Sequence, residues 1–205
     1  MKQEWKKGEK NYYLPSMEPT ITKIPRLNYF TIQGKGNPNS EEFSEKVSAL
    51  YSLSYAVRMM PKTGFTPDGY FEYTVYPLEG IWDLSDIGKQ EKVLNKEELL
   101  YTIMIRQPDF VTQEIAYTAL ETVKKKKANP CLENVLFEAI EDGLCVQMMH
   151  IGSFDDEPIS FAKMNVFLSQ HHLERRTLTH REIYISNVNN TEPANLKTVL
   201  RYFVK

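Results

Sequence analysis

Apolar and polar positions along the chain alternate at two periods, and the switches between them mark out strands and helices. Leu27, Tyr29 and Thr31 alternate with Asn28, Phe30 and Ile32, which predicts a strand over 27–33 ended by the turn Gly34-Lys35-Gly36-Asn37-Pro38. Asn39 with Glu42 three residues on has the form of a capping box. It opens a helix to about Met60, with Phe43, Val47, Leu50, Tyr51 and Ser54 inward, stopped by Pro61 and Gly64. Residues 70–76 are aromatic and β-branched, with Tyr70, Glu72, Thr74 and Tyr76 on one face and Phe71, Tyr73 and Val75 on the other. They read as a strand whose antiparallel partner is 99–106. Thr112 then caps an amphipathic helix with Ile115, Ala119, Leu120 and Val123 inward, and Lys124 to Lys127 sit where cations favour a helix C-terminus.

A hairpin is expected next, from strand 134–140 through the turn Glu141-Asp142-Gly143 to strand 144–151. Asp155-Asp156-Glu157-Pro158 supplies the acids and proline of a first helical turn. Phe161, Met164, Asn165 and Leu168 form that helix's inner stripe, and it ends near His171. Strands over 181–185 and 196–203 close the chain, joined by a loop with Asn189, Asn190 and Pro193. Strand, helix, strand, strand thus occurs twice, at about 26–110 and 130–205, with an extra helix and a hairpin strand between and no clear sequence repeat. The expected class is α+β: an antiparallel sheet with helices on one face and a central ligand cleft between the halves. Residues 1–25, punctuated by Pro15, Pro19 and Pro25, read as an extended arm ahead of a domain over 26–205.

Composition narrows the function classes. With 205 residues, 41% hydrophobic and 25% charged, the chain can bury one sizeable core or two fused half-cores. Its net charge of −2 makes no electrostatic case for nucleic acid. No apolar run approaches the roughly 20 residues that span a bilayer, and no secretory leader pattern opens the chain, so a cytoplasmic protein without a membrane partner is expected. Cys131 and Cys145 read as reduced thiols. The four histidines form no metal-ligand set, and neither a phosphate-cradling loop nor a nucleophile elbow occurs, so no metal or cofactor is implied.

The feature with most chemistry in it is Arg181-Glu182-Ile183-Tyr184-Ile185. Period-two geometry gives Glu182 and Tyr184 one face and the isoleucines the other. A carboxylate in an apolar strand is costly to bury without compensation. Either Glu182 lies on a wet face paired with a lysine or arginine, or it faces a cavity where a cationic or polarised ligand compensates it. Tyr73, Tyr76, Trp82, Tyr101, Phe110 and Tyr184 are the rings able to line such a cavity, although strand aromatics are also ordinary core. His150, beside Met148 and Met149, is a further candidate.

Three segments together resemble the GyrI-like (gyrase-inhibitor-like) small-molecule-binding superfamily. They are Tyr76-Pro77-Leu78-Glu79-Gly80-Ile81-Trp82, Ile105-Arg106-Gln107-Pro108-Asp109-Phe110-Val111, and Arg181-Glu182-Ile183-Tyr184-Ile185-Ser186 with Leu196-Lys197-Thr198-Val199-Leu200-Arg201-Tyr202. The resemblance covers about residues 24–205 and looks most like the long stand-alone subgroup. It extends to the effector-binding part of multidrug-responsive transcription activators. It implies a duplicated strand-helix-strand-strand fold and an aromatic cavity with an acid at its floor, at the position of Glu182; Glu79 and Trp82 are further candidates from their place in the first segment, a loop that could equally pack over the sheet end. The implied function is binding of hydrophobic, planar, often cationic compounds by sequestration or sensing, in drug or toxin resistance. Some stand-alone relatives hydrolyse cyclopropane-containing DNA-alkylating natural products. For this chain that implies Glu182 activating a water and Tyr184 stabilising the developing oxyanion. A protein partner such as gyrase is the remaining implied role.

Overall fold

The structure, a computed structural model, describes residues 2–126 and 128–205. Its elements are α1 (Trp5–Gly8), α2 (Lys10–Tyr13), β1 (Thr20–Lys35), α3 (Glu41–Met59), β2 (Leu78–Leu84), β3 (Leu99–Gln107), α4 (Gln113–Lys126), β4 (Leu136–Ile151), α5 (Glu157–Gln170), β5 (Arg175–Tyr184) and β6 (Lys197–Val204). This is α+β, and strand, helix, strand, strand occurs twice, as β1-α3-β2-β3 and β4-α5-β5-β6 with α4 between. The chain divides into two compact units. Met1–Glu4, Leu27–Leu78 and Leu84–Ile140 form the first, and Trp5–Arg26, Glu79–Asp83 and Glu141–Lys205 form the second.

In the first unit β1 and β3 run antiparallel, with Asn28 opposite Gln107 and Lys35 opposite Leu100. The helix α3 lies against β3 and α4. Leu50, Leu53 and Val57 from α3 and Ala116, Ala119 and Val123 from α4 are buried, each set at helical spacing, along with Ile103 and Ile105 of β3. Ser40, not Asn39, caps α3, its Oγ accepting from the Phe43 N–H at 3.2 Å. Asn39 instead gives its N–H to the Asn37 side chain.

Residues 70–76 do not form the expected strand. Tyr73 makes one isolated parallel bridge with Gln3, and its carbonyl accepts from Arg58 Nε at 2.9 Å rather than from a neighbouring strand. Tyr70, Phe71 and Tyr73 gather around Phe110, with ring centroids 5.3, 5.4 and 6.0 Å away. The β-rich composition therefore serves ring packing instead of a ladder. The strand begins beyond Pro77, and 99–106 pairs with β1.

In the second unit, β2 pairs with β5, β5 with β6 and β6 with β4, all antiparallel. One face of these strands is covered by α5, where Met164 and Leu168 meet Val146, Met148, Leu200, Tyr202 and Val204. Asn165 is exposed; the buried stripe of α5 is Glu157, Ser160, Met164 and Leu168. The expected hairpin is one strand of 16 residues. Gly143, at φ 69°, takes the irregularity, and Asp142 is buried instead of standing in a solvated turn. The arm is not extended throughout: Trp5 and Tyr13 are buried with their rings 5.3 Å apart, which anchors the single-turn helices α1 and α2, and β1 already starts at Thr20. Among the described residues no helix is long and apolar enough to cross a membrane.

Candidate functional site

Strand register sorts the ionisable residues of the second unit onto two faces. Trp82 lies opposite His180 and Gly80 opposite Glu182, while Glu182 lies opposite Leu200 and His180 opposite Tyr202. His180, Glu182 and Tyr184 therefore share the α5 face. Glu79, opposite Ile183, and Arg181, opposite Arg201, belong to the other.

On the α5 face the Glu182 carboxylate is 8% exposed and holds two bonds. Tyr184 donates its hydroxyl to Oε2 at 2.8 Å, and His180 Nε2 lies 2.8 Å from Oε1. Trp82 Nε1–H in turn donates to the Tyr184 hydroxyl oxygen at 2.8 Å. Gly80 makes this relay possible, because a Cβ there would sit 2.7 Å from Trp82 Nε1. Phe154 meets Tyr184 edge-on at 5.9 Å and Phe161 meets His180 edge-on at 4.8 Å, so the acid lies in an aromatic surround. Burial, reinforced by the charge of Glu182, pushes the Tyr184 phenol well above its ordinary range; it stays a neutral donor.

Beside this relay sits Glu157, the first residue of α5, 7% exposed, with Oε1 buried and without a hydrogen-bond partner. Burial first, then the charges of Glu182 and Asp155, push its carboxyl up to about 9. Among the described residues, neither Glu157 nor Glu182 is paired with a lysine or arginine. The sequence places Glu157 only among the acids of a first helical turn. The available signal was the inner stripe itself: one turn back from Phe161 along that stripe lies Glu157.

On the opposite face the acids are fully paired. Arg181 binds Glu79 at 2.8 Å and Asp142 at 2.6 Å, and Arg201 binds Asp142 at 3.0 Å and Gln147 at 2.9 Å. The second guanidinium nitrogen of Arg201 also donates to the Tyr12 carbonyl at 2.9 Å. Burial opposes ionisation of Asp142, yet Arg181 and Arg201 together hold its carboxyl below the ordinary range. Burial wins at Glu79, whose carboxyl is pushed up despite both arginines. Glu79 is thus an ion-pair partner of Arg181 on the far face and does not join Glu182.

Of the other sequence candidates, His150 is buried in the second unit, its Nε2 2.9 Å from the Ser153 carbonyl and its Nδ1 2.9 Å from Ser160 Oγ. A groove of about 310 Å³ runs beside it, lined by Met17, Met149, Ile159 and Lys163 among others. Tyr73, Tyr76, Tyr101 and Phe110 belong to the first unit. There Tyr73 and Phe110 join the ring cluster, the Arg106 guanidinium lies 4.6 Å from the Tyr76 ring, and Tyr101 meets Phe43 at 5.1 Å. The structure therefore brings together Glu182, Tyr184 and Trp82 from the expected set and adds His180 and Glu157.

The GyrI-like small molecule binding domain matches residues 17–204. A solved hydrolase encoded by lin2189 from Listeria innocua is 36% identical over 100% of both chains, with a TM-score of 0.92. A second solved hydrolase from Listeria innocua is 35% identical over 99% of this chain and 100% of that one, with a TM-score of 0.89. The EcmrR C-terminal domain, 13% identical over 92% of this chain and 97% of that one, has a TM-score of 0.55 and shares the fold. No curated protein matches the sequence.

Proposed function

The chain belongs to the GyrI-like small-molecule-binding family, and from that membership we propose that it binds hydrophobic, planar, often cationic compounds in the cytoplasm at the Glu182 relay. It acts by sequestration or sensing and so protects against drugs or toxins. The observation that carries this reading is a buried carboxylate held by a phenol and an imidazole, with no lysine or arginine on it among the described residues. Such a site has unspent attraction for positive charge, while Trp82, Phe154 and Phe161 offer ring faces and edges to a flat ligand. Ethidium, a planar cation, serves as the probe. In Trp5→Phe protein, where Trp82 is the remaining tryptophan, ethidium is expected to quench its emission saturably. Glu182→Gln weakens that binding by about 10-fold or more, since one buried charge partner is lost. Equal ethidium affinity in the parent and Glu182→Gln proteins would overturn the reading.

A second reading is hydrolysis of cyclopropane-containing DNA-alkylating compounds. It is favoured by the 2.8 Å contact between a carboxylate and a phenol held neutral, and by the likeness along the whole chain to two proteins described as hydrolases. Glu182 would deprotonate a water attacking the strained ring, and Tyr184 would donate to the developing oxyanion. Turnover of a cyclopropyl electrophile that Glu182→Gln abolishes, with binding kept within a few-fold, selects this reading; binding without turnover selects the first.

A further inference from the structure

The acid at the start of α5 has no role in the relay described above, and its surroundings single it out. Glu157 is 7% exposed and its Oε1 is buried with no partner among the described residues. A native fold leaves few such atoms unsatisfied, and each calls for an account. The charges that act on it are those of Glu182 from β5 and Asp155 from the turn before α5, with the neutral phenol of Tyr184 close by and His180 bound to Oε1 of Glu182. A carboxylate in that company would be repelled from two sides, whereas a carboxylic acid would not. A neutral acid in a greasy site has a hydrogen to give.

We propose that Glu157 is a specificity-determining residue of the Glu182 site, donating its carboxyl hydrogen to a carbonyl or ether oxygen of the ligand. The ligand class is then a planar aromatic that carries an oxygen acceptor alongside its cationic edge. This rests on the Glu182 site as the binding site. Glu182 supplies the charge and Glu157 reads the oxygen. The carboxyl pushed up to about 9 by burial and by Glu182 keeps its hydrogen at neutral pH, as the donor role requires.

Two probes with permanent charge separate the roles, so that pH titrates only the protein: ethidium, which has no oxygen, and berberine, a planar quaternary cation bearing ether oxygens. Glu157→Ala is expected to lose about 10-fold in berberine affinity and to leave ethidium within about 2-fold, because only berberine loses a hydrogen bond. Glu157→Gln, which keeps shape and an N–H donor, holds berberine within about 3-fold. In the wild-type protein the preference for berberine over ethidium falls as pH rises through about 9, and in Glu157→Gln it is flat. Equal effects of Glu157→Ala on both probes, or the same pH profile in wild type and Glu157→Gln, would overturn the inference. Glu182→Gln is the control arm: if it weakens both probes while Glu157→Ala discriminates nothing, the donor role fails and the binding site stands. If Glu182→Gln weakens neither, the site itself is wrong and the inference falls with it.

Discussion

The two faces of the second unit's strands carry acids of the same chemistry in opposite electrostatic situations. Glu79 and Asp142 are buried against Arg181 and Arg201, so their charge is consumed within the protein. Glu182 and Glu157 are buried to a similar degree and have no such partner among the described residues. Burial alone therefore does not tell the two faces apart; the counter-charge does. The paired face is structural, since removing one member strands the others, whereas the acids of the α5 face keep a charge that no cation of the fold answers.

Breaking the paired face should have the largest effect. Arg181→Met leaves Glu79 without its 2.8 Å partner and Asp142 with one arginine in place of two. Urea denaturation is expected to show a loss of about 3–5 kcal/mol, the usual result of stranding a buried charge. A loss below about 1 kcal/mol would show that the network is not structural.

Asp142→Asn comes next, at about 2–4 kcal/mol near neutral pH. Asp142 is held below its ordinary value of 3.8, so the stability it contributes is present above that value and disappears as pH falls through the lowered folded value. The variant should therefore differ most from wild type at neutral pH and converge with it in strong acid. A gap that stayed constant into strong acid would contradict the ion-pair account.

The unpaired face should answer with the opposite sign. Glu157 titrates at about 9 in the folded protein against an ordinary 4.5, so its contribution to stability is complete below 4.5 and is lost as pH rises through about 9. Glu157→Gln removes that loss. It is expected to be more stable than wild type at pH 8 by on the order of 1–2 kcal/mol and indistinguishable near pH 4. Thermal melts at the two pH values check it, and a destabilised variant at pH 8 would reverse the comparison. The smallest effect belongs to Trp82→Phe, which deletes the indole donor to Tyr184 and should cost about 1 kcal/mol. It should leave the Arg181 network untouched, as additivity with Asp142→Asn in a double-mutant cycle would show.

The same contrast explains what was legible in the sequence. Period-two alternation puts Glu182 and Tyr184 on one strand face without any structure, and the helices α3, α4 and α5 follow from apolar spacing, with Thr112 capping α4 as expected and Ser40 in place of Asn39 capping α3. Glu79 and Trp82 sit in one short segment, yet β2 places them on opposite faces, a distinction hidden while that segment reads as a loop. Asp142 beside Gly143 has the composition of a turn, and local composition carries no trace of two arginines from β5 and β6 reaching it. Residues 70–76 are rich in strand formers, but their rings pack around Phe110, a tertiary preference that outweighs propensity. Glu157 was masked by a second true signal, since acids do favour the first turn of a helix.

The alternation of Glu182 with Arg181 has a consequence for assembly of β5. Sliding this strand by a single residue would turn Arg181 towards Glu157 and thrust Glu182 at Asp142 and Glu79, acid against acid. Cation and anion on consecutive residues thus act as a key with one orientation, admitting the strand in its native alignment and expelling it from the neighbouring ones.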